Sequence, residues 1–189
     1  MDSTTDELLM LRVRDGQIEE LGVLYERHRT PLLNFFVRLT GKVQVSEDLV
    51  HDVFLRMLKY RQTFEAGNRF TTWMYQVARN VHFDSWQRQK HEVPVEPAAL
   101  DDHEKWASPE PSPDLKLTRS QETVLLQTAL AELPLEFREV LVLSRFQNLR
   151  YEEIATILNC GVGAVKMRVH RALKDLRARF TALNDEKAL

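Results

Sequence analysis

Apolar residues recur at three- and four-residue intervals along most of the chain, and no stretch alternates singly as a half-buried strand does. In "EELGVLYERHRTPLLNFFVRL" the positions Leu21, Leu24, Tyr25, Leu32, Phe35, Phe36 and Leu39 mark one helical stripe. "SEDLVHDVFLRMLKYRQTF" opens on Ser46, a good N-cap residue, with two acids in the first turn. Its Leu49, Val53 and Tyr60 form a buried stripe, with Phe54 and Leu58 beside it. "RFTTWMYQVARNVHFDSWQRQKH" brings Phe70, Trp73, Val77, Val81 and Asp84 close to one helical row. A further helix runs through "ETVLLQTALAEL", and after Pro134 the segment "EFREVLVLSRF" reads as a core helix. The fold class expected is all-α.

The pattern is most specific near the end. "YEEIATIL" carries Tyr151, Ile154, Ala155 and Leu158 at i, i+3, i+4 and i+7, a short amphipathic helix. "NCG" is a turn, and a longer helix begins at about Val162. Short helix, tight turn and long helix make a helix-turn-helix. Gly161 is expected at a positive φ in the turn, and Gly163 where the backbone is approached closely. At 100° per residue, Val162, Val165, Val169, Leu173, Leu176 and Phe180 fall within about 80° and form the buried face. Met167, His170, Arg171 and Lys174 lie opposite, flanked by Lys166 and Arg168. The bland reading of this helix is a solvated basic face in a bundle. The preceding helix and turn favour a major-groove reader, with Lys166 and Arg171 suited to guanine acceptors and Met167 to a thymine methyl. Arg177 and Arg179, further along, suit phosphate.

Charge and composition divide the chain. It has 189 residues and a formal net charge of -2, yet residues 92–114 alone carry seven acids and one lysine, a charge of -6. Five of the seven prolines fall there, and "SPEPSPD" offers no apolar face. The boundaries expected are 1–91 and 119–189 for two small helical domains, joined by an acidic, proline-rich linker at 92–118. A single cysteine, Cys160, excludes an intramolecular disulfide and a cysteine-built zinc site. No apolar run reaches membrane-spanning length, and "MDSTTDELLM" lacks the order of a signal peptide, so a cytoplasmic location without membrane insertion is expected.

Taken together, "LPLEFREVLVLSRFQNLRYEEIATILNCGVGAVKMRVHRAL" closely resembles the second domain of sigma-70 family initiation factors of the small extracytoplasmic-function (ECF) type. "SEDLVHDVFLRMLK" and "FTTWMYQVARNVHFDSWQR" resemble the first domain of that family. The resemblance implies a protein that binds core RNA polymerase and directs it to promoter DNA. The C-terminal domain would read the minus-35 element as duplex, through Lys166, Met167, Arg168, His170, Arg171 and Lys174. The N-terminal domain would capture the minus-10 element as it melts. Asn80, Asp84 and Arg88 match the family pattern there, and Trp86, Gln87, Lys90 and His91 add amide, cationic and ring groups suited to an unstacked base. Asp48, Asp52, Arg56 and Lys59 match the helix, at 46–59, that docks on the polymerase clamp. Their bland alternative is a solvated face with an Asp52–Arg56 i,i+4 pair. Asp84 suits a cap or an internal salt bridge equally well. An anti-sigma protein is implied as regulator, and no cofactor or metal.

The chain departs from the family pattern at several positions. His51 stands where relatives often have glutamine, and Gln89 where they often have arginine. Arg150 replaces a common serine or threonine N-cap, and Gly161 a common proline. Ala164 and Met167 replace a common threonine and serine in the reading helix, which removes two hydroxyls. A stand-alone helix-turn-helix repressor would need neither the docking helix nor the linker. An enzyme is disfavoured because the six histidines have no metal-site spacing and no nucleophile elbow is present. The linker acids could mimic nucleic acid and discourage binding to free DNA.

Overall fold

The computed structural model describes residues 4–92 and 113–187. The described residues hold eight α-helices and no strand. Helices α1 (Asp6–Arg14), α2 (Glu20–Thr40), α3 (Val43–Lys59) and α4 (Phe70–Glu92) form an N-terminal group. Helices α5 (Pro113–Ala131), α6 (Leu135–Leu141), α7 (Tyr151–Leu158) and α8 (Val162–Lys187) form a C-terminal group. A π-helical turn at Val142–Phe146 continues α6.

Helix α1 is an element the sequence reading did not identify. Thr5 caps it, its Oγ1 accepting the Leu8 N–H at 3.3 Å, and Asp6 and Glu7 sit favourably in its first turn. It buries Leu9, Met10 and Val13. It also ties down its neighbours: Asp6 pairs with Arg27 and His28 of α2, and Glu7 Oε1 accepts the Phe70 N–H that opens α4.

Helix α2 runs through Pro31 and ends at Gly41, whose φ of 73° lets its N–H return to the Val37 carbonyl. Helix α3 starts at Val43, so Ser46 is not its N-cap. Ser46 is fully buried inside the helix, where its Oγ donates to the Lys42 carbonyl at 2.6 Å and lies 2.9 Å from Thr40 Oγ1. A serine inside a helix can bond the carbonyl four residues back, which removes the need for it at the end. Tyr60, placed in the buried stripe by its spacing, is exposed just past the end of α3. Phe70, Trp73, Val77 and Val81 are buried as their row requires. Trp73 stacks edge-on against Phe64 and donates Nε1–H to Thr63 Oγ1 at 3.3 Å.

Helix α5 begins at Pro113, inside the segment expected to be linker through residue 118. A proline can open a helix because the N–H it lacks would have no intrahelical partner there. The remaining linker residues, 93–112, lie outside the described residues, as does the nucleic-acid mimicry attributed to their acids.

The two groups meet along two seams. Helix α4 lies against α7, and α2 lies against α5, α6 and the π-helical turn. The buried apolar side chains run as one continuous cluster from α1 to α8. Each large residue fully buried there, such as Phe35, Phe36 or Phe70, contributes about 1.5–3 kcal/mol relative to exposure.

Candidate nucleic-acid interface

The C-terminal helix-turn-helix forms as its spacing requires, but its turn is built differently. Asn159, not Gly161, adopts the left-handed conformation, with φ 49° and ψ 53°. Asparagine tolerates this region better than other side-chain-bearing residues. Gly161 serves instead as the start of α8, its carbonyl accepting the N–H of Ala164 at 2.9 Å and of Val165 at 3.2 Å. Nothing lies within 4 Å of where a Gly163 Cβ would sit, so no part of the chain approaches that position closely.

Arg150 has only donors on its side chain and cannot accept from the amides of α7. Glu153 reaches back instead, its Oε2 accepting the Arg150 N–H at 2.8 Å. This is half of a capping box, and it offsets part of the cost of the missing N-cap acceptor. Burial pushes the Glu153 carboxyl up. The Arg150 N–H and the charges of Arg69 and Arg150 outweigh that and hold it below its ordinary range.

Helix α8 buries Val165, Val169 and Ala172. Leu173, assigned to the buried face by its angle, is 37% exposed, and Ala172 takes the buried place beside it. The angle was reckoned for a straight stripe, whereas α5, α6 and α7 cover α8 from several directions. Lys166, Met167, His170, Arg171 and Lys174 are exposed together, with Met167 at 56%. Arg168 does not join them: it turns inward, its Nη1 4.0 Å from Cys160 Sγ, and its charge acts on Glu139 of α6. Arg177 is exposed, whereas Arg179 is committed to Asp175 at 3.3 Å and Glu132 at 3.4 Å.

On α4, Asn80, Gln87 and Arg88 are exposed and Asp84 is half-buried. At 100° per residue Asn80, Gln87 and Asp84 lie within about 60°, Arg88 about 40° beyond Asp84, and Trp86 about 160° from Asp84. Trp86 therefore does not share their face. Its ring lies 6.2 Å from that of Phe83, and both are about half exposed. Lys90 and His91 fall within α4, but their side chains lie outside the described residues.

Helix α3 exposes Asp48 and Lys59, the Lys59 ammonium lying 5.3 Å from the centre of the Tyr60 ring. The Asp52–Arg56 pair of the bland reading is not the one formed. Arg56 bonds Asp84 of α4 at 2.6 Å, and Asp52 lies 3.8 Å from Arg88 of α4. Two residues assigned to docking are thus paired with two assigned to base capture. Asp84 takes the internal salt bridge rather than the cap. Leu55, between them on α3, is 64% exposed and was not singled out from the sequence.

Sequence reasoning also missed a row of residues that join the two groups. Arg79 of α4 bonds Glu139 of α6 at 3.0 Å, and Arg69, just before α4, bonds Glu153 of α7 at 2.7 Å. Tyr75 Oη donates to Gln147 Oε1 at 2.6 Å, and Gln76 Nε2 to the Thr156 carbonyl at 3.2 Å. Burial pushes the Tyr75 hydroxyl pKa well up, so it stays protonated and donates. Long-range pairing of this kind leaves no periodic signal in the sequence.

Comparison with known proteins agrees with this geometry. The family model described as Sigma-70 region 2 matches residues 24–92, and that described as Sigma-70, region 4 matches residues 123–176. The chain is 31% identical over 180 residues to the RNA polymerase sigma factor CarQ of Myxococcus xanthus, covering 95% of this chain and 99% of the relative. It is 26% identical over 179 residues to the ECF RNA polymerase sigma-E factor of Escherichia coli K12, covering 90% and 92%. Among solved structures, the sigma factor RpoE in complex with the anti-sigma factor NepR, from Bartonella quintana, has the same fold. The TM-score is 0.68 and the identity 24%, over 86% of this chain and 98% of that one. CnrH in complex with the cytosolic domain of CnrY gives a TM-score of 0.66 at 23% identity, over 96% and 97%. With both regions matched in order and a relative of nearly equal extent above 30% identity, the chain belongs to the sigma-70 family of RNA polymerase sigma factors, in its ECF group, and is an initiation factor that directs transcription to promoters.

Proposed function

We propose that promoter reading is divided between α8 and α4, with α3 as the polymerase-docking helix. Lys166, Met167, His170, Arg171 and Lys174 contact base edges and phosphates of the minus-35 duplex. Arg168 is withdrawn from this set and supports the helix from behind. Asn80, Asp84, Gln87 and Arg88 hold the minus-10 strand on one side of α4, with Trp86, Lys90 and His91 serving the strand elsewhere along the helix. Asp48, Asp52, Arg56 and Lys59 dock α3 on the polymerase. Residues 1–91 and 119–189 act as the two functional domains, joined by the acidic linker.

The observation that carries this reading is the exposed, mainly cationic face of α8, set across the helix from the buried Val165, Val169 and Ala172 and presented by a tight turn. Such a helix enters the major groove with its N-terminal residues at base edges. The protein works in the cytoplasm, where polymerase and promoters are, and contributes binding rather than bond chemistry. Each domain alone reads little DNA, and mounting both on polymerase gains avidity of about 10²–10⁴. An anti-sigma protein covers one of these faces when the factor is idle, by analogy with the solved RpoE–NepR complex. The division of labour is tested by promoter substitution. Arg171→Ala should relax preference at the upstream element only, and Asn80→Ala at the downstream element only. A change at the same element from both variants contradicts it.

A further inference from the structure

Two carboxylates of the C-terminal group sit on two arginines of the N-terminal group. Glu139 of α6 holds Arg79, and Glu153 of α7 holds Arg69. Both carboxylates are nearly buried, at 9% and 8% exposure. Burying a carboxylate costs free energy unless it is well paired. Burial pushes the Glu139 carboxyl above its ordinary range against the pull of Arg79 and Arg168. The Glu139 contact therefore forms at a cost, which is a property of a contact that can be exchanged, whereas Glu153 is well paired and anchors the second position through Arg69.

The arginines stand on a surface with further nucleic-acid character. By helical angle Arg79, Phe83 and Trp86 fall within an arc of about 60° on α4. Phe83 and Trp86 present half-exposed rings of the kind on which unpaired bases stack. Arg69, just before α4, lies ten positions from Arg79, about 15 Å along the helix axis at 1.5 Å per residue.

Resting on the reading of α4 as a strand-capturing helix, we propose that Glu139 and Glu153 occupy, in the free chain, the positions of two phosphates of an unpaired DNA strand. Arg79 and Arg69 are then phosphate ligands, and Phe83 and Trp86 the adjoining ring surface. In the free factor this face of α4 is covered by the chain's own carboxylates, and separating the two helical groups uncovers it as a second strand contact beside the face that carries Asn80 and Gln87. Self-screening of positive charge, which the sequence assigns to the linker acids, thus has a second source within the folded groups.

The pair Arg79–Glu139 gives a test in which its two partners move binding in opposite directions. The full-length chain is titrated with a labelled mixed-sequence single strand, read by fluorescence anisotropy. A mixed-sequence duplex is titrated in parallel. Glu139→Gln removes the mimic and should tighten single-strand binding by about threefold or more, because the competent fraction rises. Arg79→Gln opens the same contact but removes the ligand, and should weaken it. The slope of log affinity against log salt should be shallower by about 0.7 in Arg79→Gln than in Glu139→Gln. Should either single variant misfold by circular dichroism, the charge swap Arg79→Glu with Glu139→Arg keeps the pair and should still lose single-strand binding. Shifts of the same sign for both single variants, a swap that binds like the parent, or a gain confined to the duplex overturn the proposal. Transcription by the parent chain with core polymerase is measured alongside. If it fails, the strand-capturing reading itself fails. If it succeeds while the signs agree, only the mimicry fails.

Discussion

Arg56 of α3 donates through Nη1 to Asp84 Oδ2 of α4 at 2.6 Å. The pair joins the helix assigned to polymerase to the helix assigned to the melted strand. Both side chains are about a third to a half exposed, so the bond is screened and contributes about 0.2–1 kcal/mol. Its larger consequence is positional, because it fixes the side of α4 that carries Asn80 and Gln87. Arg56→Ala and Asp84→Ala should each reduce promoter-directed transcription, and the double variant should lose little more than the worse single one. A double-mutant cycle in the transcription assay checks this. Fully additive losses would mean the two residues act separately.

Arg171 and Arg177 are exposed on the same helix but should behave differently. Arg171→Ala should cost about 1–3 kcal/mol at the promoter the chain selects and relax preference at one base position. Arg177→Ala should weaken binding evenly across sequences and lower the salt slope by about 1. Arg179→Ala should change stability more than DNA affinity, since its guanidinium serves Asp175 and Glu132. Competition binding against a set of substituted duplexes separates the three.

Much of the fold was legible in the sequence because helical burial repeats every three or four residues. Phe70, Trp73, Val77 and Val81 were recognised as core on that ground alone, and they are buried. Helix α1 was missed because Leu8, Leu9, Met10 and Leu11 follow one another and spread around the helix, so no spaced stripe stands out as it does in the still shorter α7. Ser46 was misread because a serine before an apolar run is usually a cap, and only the surrounding packing shows that α3 starts earlier. The outward face of α8 was legible from angles. That Arg168 lies half-buried with its guanidinium beside Cys160 was not legible, because angle alone does not show which way a flanking side chain turns. The pairs Arg56–Asp84, Arg69–Glu153 and Arg79–Glu139 join residues far apart in the chain, and no local pattern announces them.

The corrected view of Gly163 is itself testable. It sits in the first turn of α8 with open space around it and no positive φ. Gly163→Ala should raise stability in urea denaturation by up to about 0.5–1 kcal/mol, the gap in helix propensity. A loss of stability would restore the close approach inferred from the sequence.

His82 of α4 is buried beside Phe36, and burial, reinforced by the charge of Arg138, holds its imidazole below the ordinary value of 6.5. The unfolded chain therefore binds a proton more readily than the folded one. Stability from this group is full above about pH 6.5 and is lost as pH falls toward the lowered folded value. The melting temperature should drop as pH falls from about 6.5 toward the lowered folded value. His82→Gln should flatten that drop, as read by circular dichroism melts across the range. An unchanged pH dependence in the variant would assign it to another group.

The central claim is that this chain gives core RNA polymerase its promoter choice. Core polymerase is mixed with the full-length protein and a library of randomised promoters, and the transcripts are sequenced. Transcripts that require the protein, start at defined sites and share two spaced upstream elements are the predicted result. Transcription no different from core polymerase alone, or tight binding of a dimer to a palindrome without polymerase, would contradict it.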